Sequence, residues 1–107
     1  MITQIALIGG YPHYSSTELL DVDTMTWGTG PSLPISINNN IGVQSVSGTY
    51  LGFSTGGTGT TVGVQRKIFG LTKNSDNGLE WEEVHSMTEA RRAHSVVNAP
   101  KSLLPNC

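Results

Sequence analysis

Short apolar runs broken by glycine and polar turns fill the chain, and no segment sustains a long apolar period of 3.6 residues. The runs read as eight strands: Gln4 to Ile8, Glu18 to Val22, a third around Thr26-Trp27, Ile41 to Val46, Tyr50 to Thr55, Arg66 to Leu71, Leu79 to His85 and Ala93 to Asn98. Ile41, Val43 and Ser45 alternate onto one face of the fourth. In the seventh, Leu79, Trp81 and Glu83 oppose Glu80, Glu82 and Val84, an imperfect alternation. Turns are expected at Asp23-Thr24-Met25, Ser47-Gly48-Thr49 and Asn77-Gly78, and polar loops at Tyr11 to Ser16 and Thr58 to Val64. Residues Gly28 to Pro34 hold two Gly and two Pro, so regular structure stops there. The fold class is all-β.

The order of these elements is written twice. Ile5-Ala6-Leu7-Ile8 runs into Gly9-Gly10, followed by a polar loop, a short strand and Trp27. Leu51-Gly52-Phe53-Ser54-Thr55 runs into Gly56-Gly57, followed by a loop, Ile68-Phe69-Gly70-Leu71 and Trp81. Gly9 to Gly56 is 47 residues and Trp27 to Trp81 is 54, a period near fifty. Self-similarity at that spacing, in a chain of short strands, points to the blades of a β-propeller.

The motifs resemble the kelch repeat. They stand as Gly9-Gly10, Asp21-Val22-Asp23, Trp27 and Leu33-Pro34 in one unit, and as Gly56-Gly57, Trp81, Met87, Arg91 and His94-Ser95-Val96-Val97 in the other. Departures are Ser36 to Asn40 where the family usually carries an Arg, Leu20 or Phe69 in place of a third-strand Tyr, and Asn77-Gly78 where Asp normally begins the turn. The resemblance implies antiparallel four-stranded blades of a propeller, about two of them, over approximate units 1–47 and 48–99, with 100–107 as a tail. It further implies that the chain enters at the second strand of one blade, completes the next, and opens a third. Other blades are then expected N-terminal to it, or in copies of the same chain. The Gly pairs are read as turns without Cβ clashes, both Trp residues as core between blades, and His94 as a packing or hydrogen-bonding residue.

Composition removes several classes of function. Charged residues are only 13%, with Gly, Ser, Thr and Asn in their place, as turn-rich sheets require. A net charge of −2 and six Lys and Arg, with adjacent pairs at Arg66-Lys67 and Arg91-Arg92, make no footprint for nucleic acid. No apolar run is long enough to insert in a membrane, and Met1 to Gly10 lacks the pattern of a signal peptide, which leans towards a cytoplasmic location. Three scattered His and the single Cys107 give no metal-ligand spacing. No cofactor is implied.

No catalytic constellation stands out either. The chain has no Gly-x-Ser-x-Gly elbow, and Gly56-Gly57-Thr58-Gly59-Thr60-Thr61 lacks the ending and the helix of a phosphate loop. Glu80, Glu82 and Glu83 read as a solvated strand edge. What remains is surface for a protein partner. By the family resemblance it lies on the loops after each Gly pair and the links between blades, with Tyr11, His13, Tyr14, Asn38, Asn39, Asn40, Arg91 and Arg92 as candidates. Arg91 can grip a carboxylate in bidentate fashion or pair locally with Glu89. His13 is equally an exposed loop residue, and the three Asn are equally turn formers. The leading expectation is a noncatalytic interaction module, of the sort found in ubiquitin-ligase adaptors, cytoskeletal scaffolds and adhesion proteins. The alternatives are a fragment of a kelch-fold enzyme, such as a copper oxidase of the galactose-oxidising kind or a sugar-processing enzyme, and a truncated product without independent function.

Overall fold

Three antiparallel sheets hold the strands of the computed structural model, which describes residues 4–10, 14–45, 49–59, 63–76 and 78–99. The strands are β1 (Gln4–Ile8), β2 (Thr17–Asp21), β3 (Thr26–Thr29), β4 (Ile37–Asn38), β5 (Ile41–Gln44), β6 (Gly52–Thr55), β7 (Thr58–Gly59), β8 (Gly63–Val64), β9 (Lys67–Lys73) and β10 (Leu79–Ser86). The described residues include no helix, so the chain is all-β. The first sheet has the order β1-β2-β3, the second β10-β9-β6-β5, and a small third β4-β7-β8. Of the expected features, Tyr11, His13, Ser47, Gly48, Asn77 and the tail 100–107 lie outside the described residues.

Local chemistry sets the turns. Between β2 and β3, the Asp21 carboxylate accepts from the amides of Asp23 and Thr24, while Met25 closes the loop in the left-handed region at φ 57°. Between β9 and β10, Asn74 supplies the turn: its side-chain oxygen accepts from Asp76 and Gly78 at 3.0 and 2.9 Å. The imperfect alternation of the seventh expected strand has a physical cause, a β-bulge between Glu83 and His85. One extra residue there shifts the phase, so Val84 and Ser86 become half-buried after a run in which Leu79 and Trp81 were.

The core is small. Leu33, Ile37 and Phe69 are buried together, with Ile8, Ile35 and Trp81 packed against them. Trp81 closes the space between the first two sheets, and its indole N–H donates to Thr17 Oγ1 at 3.2 Å and to the Pro31 carbonyl at 3.0 Å. On the opposite face of the second sheet, Tyr50 lies on Gly70, where a Cβ would meet its ring, and packs beside Phe53. Partial desolvation there, then the hydrogen bond to Glu82 and its charge, hold the Tyr50 phenol above its ordinary value.

Three expectations are corrected. Trp27 is not core: it stands 57% exposed on the outer face of the first sheet, because no described element packs there. Ala93 to Asn98 does not form a strand. Ala93 takes φ 49°, and the segment runs beside β5, tied by Ala93 N to the Asn39 carbonyl and by Asn98 Nδ2 to the Gln44 carbonyl. Finally, the loop expected over Thr58 to Val64 contains the two short strands β7 and β8, and the region before Ile41 contains β4, which pairs with β7.

Ile37 is fully buried at the centre of this arrangement. Replacing it with Ala is expected to destabilise the chain by about 3 kcal/mol, as for other fully buried large-to-small changes. Urea unfolding followed by the fluorescence of Trp81 reads the loss, and a shift below about 1 kcal/mol would place the core elsewhere.

Candidate interaction surface

Each Gly pair is wired into the fold by one circuit of backbone hydrogen bonds, and the circuit occurs twice. In the first unit, Gly9 N donates to Ser16 O, Gly10 N to Ile37 O, Tyr14 N to Gly10 O, Ile37 N to Tyr14 O, and Leu33 N to Ser15 O. In the second, Gly56 N donates to Lys67 O, Gly57 N to Arg91 O, Gln65 N to Gly57 O, Arg91 N to Gln65 O, and Met87 N to Arg66 O. Each of these five bonds has its counterpart, and the first circuit adds a longer one, Tyr14 N to Ile37 O at 3.3 Å. The two circuits place Tyr14 opposite Gln65, Leu33 opposite Met87, and Ile37 opposite Arg91.

Glycine is required at these corners. Gly57 has φ +100°, and a Cβ there would sit 2.7 Å from the Asn38 carbonyl oxygen and 2.7 Å from Ile37 Cγ1. Gly9, at φ +70°, would place a Cβ 3.0 Å from Ile37 Cγ2. Ile37 therefore lies between the first residue of one Gly pair and the second of the other. That contact brings both turns, with the chain leaving them, to one end of the molecule.

The candidate residues divide at this end. Asn38 is buried in β4 and Asn40 is half-buried, so neither offers the free surface expected of it. Asn40 Nδ2 donates to Ser54 Oγ at 2.8 Å and to the Ile8 carbonyl at 3.4 Å, a tie between the first two sheets. Asn39 is exposed at φ 55°, a left-handed position that Asn tolerates. Tyr14 is half exposed. Arg91 and Arg92 are both exposed, and the Arg91 guanidinium lies 3.7 Å from Glu89, the local pairing. The backbone of Arg91 is what the fold uses. Its side chain is left to solvent.

His94 has the hydrogen-bonding role that the motif implies. The Thr55 hydroxyl donates to the Ile41 carbonyl at 3.2 Å, so it accepts from His94 Nε2 at 2.8 Å. Nε2 therefore carries a hydrogen. His94 stands in the second unit where Asn40 stands in the first, both reaching the end of the strand that precedes a Gly pair. Sequence reasoning passed over Gln65, which is buried and donates from its side chain to the Gly56 carbonyl at 2.8 Å. Its neighbour Arg66 and Val64 are exposed beside it, and join Arg91 and Arg92 on the surface.

No group of three or more His, Cys, Asp or Glu able to hold a metal occurs among the described residues. No known family model matches the chain, and no curated protein is similar to it in sequence.

The geometry separates backbone from side chain. Gly57→Ala combines a strained φ with a clash against backbone, and is expected to cost more than 1 kcal/mol, roughly the ordinary penalty for a strained turn position. Arg91→Ala keeps the backbone bonds and loses only an exposed ion pair, so stability is expected to stay within about 0.5 kcal/mol. Paired urea titrations check both, and equal costs would contradict the assignment.

Proposed function

We propose that the chain is a noncatalytic interaction module, built as consecutive kelch-type blades and binding a partner protein through the end that carries the Gly-pair turns. The observation that supports this most is the recurrence of one hydrogen-bond circuit at both Gly pairs. A repeated circuit with a Trp at matching positions is what a blade repeat requires, and the four-stranded second sheet has the strand number of a blade. The kelch assignment itself rests on the motif resemblance.

The binding reading follows from what the circuit leaves outside. Tyr14, Asn39, Arg66 and Arg91 are exposed at this end, held on backbone that is pinned by hydrogen-bonded amides and carbonyls, and Arg92 is exposed next to Arg91. Rigid backbone with exposed aromatic and guanidinium groups suits recognition, since little ordering entropy is lost on contact. Asn38 and Asn40 drop out of the surface, and Arg66 enters it.

The test compares proteins retained from a lysate by the wild-type chain and by a Tyr14→Ala/Asn39→Ala/Arg92→Ala variant of matching circular dichroism. Loss of specific retained proteins by the variant is the expected result. The same proteins in the same amounts on both would contradict a binding role for this end.

A further inference from the structure

The two circuits fix which residues of the units are equivalent, and that equivalence exposes a difference between the described sheets of the two units. Gly9 matches Gly56, so β1 matches β6. Ile37 matches Arg91 at an offset of 54, the same as Trp27 to Trp81, so β5 matches Ser95 to Asn98. In the second sheet, β6 has β5 beside it, paired as Ile41 with Thr55, Gly42 with Ser54, Val43 with Phe53 and Gln44 with Gly52. In the first sheet, β1 has no described strand on its outer edge. Meanwhile Ser95 to Asn98 belongs to no ladder, and Val97 is 82% exposed.

The open edges of the first two sheets are not alike. That of β10 is guarded by Glu80, Glu82, Glu83 and a bulge, and that of β5 is flanked by the segment Ala93 to Asn98. The edge of β3 is short. Strand β1 is five residues without a charge, with Ile5 48% and Leu7 49% exposed, beside an apolar cleft of about 740 Å³ between the sheets. Such an edge is a template for another strand.

We infer that copies of this chain join head to tail, Ser95 to Asn98 of one pairing antiparallel with β1 of the next. The register transfers from β5 and β6: Ser95 faces Ile8, Val96 faces Leu7, Val97 faces Ala6 and Asn98 faces Ile5. The face that the same superposition gives Trp27, the one carrying Phe53 and Gly70, is already covered by Tyr50, so the strand pairing alone carries the contact. This contact uses two different patches, so it is heterologous and joins copies into a ring or an open chain.

The inference rests on the repeat reading above and is independent of the loop surface. The test is sedimentation equilibrium of the 107-residue chain up to about 1 mM, where a contact worth about 4 kcal/mol is half formed. The wild type is expected to sediment above monomer mass as concentration rises. Val97→Pro, which removes a donor from the added strand at an exposed position, is expected to remain monomeric with unchanged circular dichroism. Register is read by mixing a copy carrying Ala6→Cys with one carrying Val97→Cys, both with Cys107→Ser. Facing Cα atoms about 4.5–5.5 Å apart lie within disulfide reach, so the mixed dimer forms faster than with Ser95→Cys. A wild type that stays monomeric, an assembly unchanged by Val97→Pro, or a mixed dimer formed equally from Ser95→Cys would overturn the inference. A monomeric chain whose loop variant still loses its retained proteins would overturn this inference and leave the interaction module standing.

Discussion

One side chain seated between two corners that lack Cβ atoms carries the arrangement. Ile37 is fully buried, and atoms of its branches occupy the space where side chains on Gly9 and Gly57 would be. Its backbone serves the same junction, with the carbonyl accepting from Gly10 and Tyr14 and the amide donating to Tyr14. A core of so few buried apolar residues has little redundancy. The first two sheets are held in relation to each other by this contact, by the Trp81 indole against Thr17 and Pro31, and by Asn40 across to Ser54. Polar side chains therefore do much of the joining that larger domains assign to hydrophobic layers.

A consequence is that the same junction separates what supports the fold from what is left for recognition. Backbone groups of Arg91 and Gln65 close the second circuit, while the guanidinium of Arg91 points to solvent near Glu89. The first circuit consumes Ile37 in the same position and leaves Tyr14 half exposed. Equivalent positions thus hold an apolar core residue in one unit and an exposed cation in the other. The reason is packing: Ile37 has a sheet on each side, whereas Arg91 stands at the outer side of the second sheet with no described neighbour to bury it. The exposed Trp27 reports the same asymmetry from the opposite side of the molecule.

Much of this was legible in the residues. The Gly pairs, the Trp spacing and the period-two runs identify the strands and their repeat, because those features act through local backbone geometry and nearest neighbours. The Asp21 turn follows from a short motif for the same reason, whereas the bond of His94 to Thr55 is long-range and was expected only from the family resemblance. Long-range partners were less accessible. Asn38 and Asn40 have the composition of a surface turn, and only the approach of β7 and Ser54 makes them interior. Strands of two residues such as β4, β7 and β8 carry no periodicity to detect. Ala93 to Asn98 has strand-like residues, yet a ladder needs a neighbouring edge, which propensity alone does not supply.

The duplicated circuit is the claim on which the repeat, the junction and the surface all depend. Amide hydrogen exchange of the folded, isotope-labelled chain tests it directly, since each donor in the circuit is a separately resolved group. The amides of Gly9, Gly10, Leu33 and Ile37, and those of Gly56, Gly57, Gln65, Met87 and Arg91, are expected to be protected together, with the two units alike. Rapid exchange at Gly57, Gln65 and Arg91 while the β9–β10 ladder stays protected would contradict it.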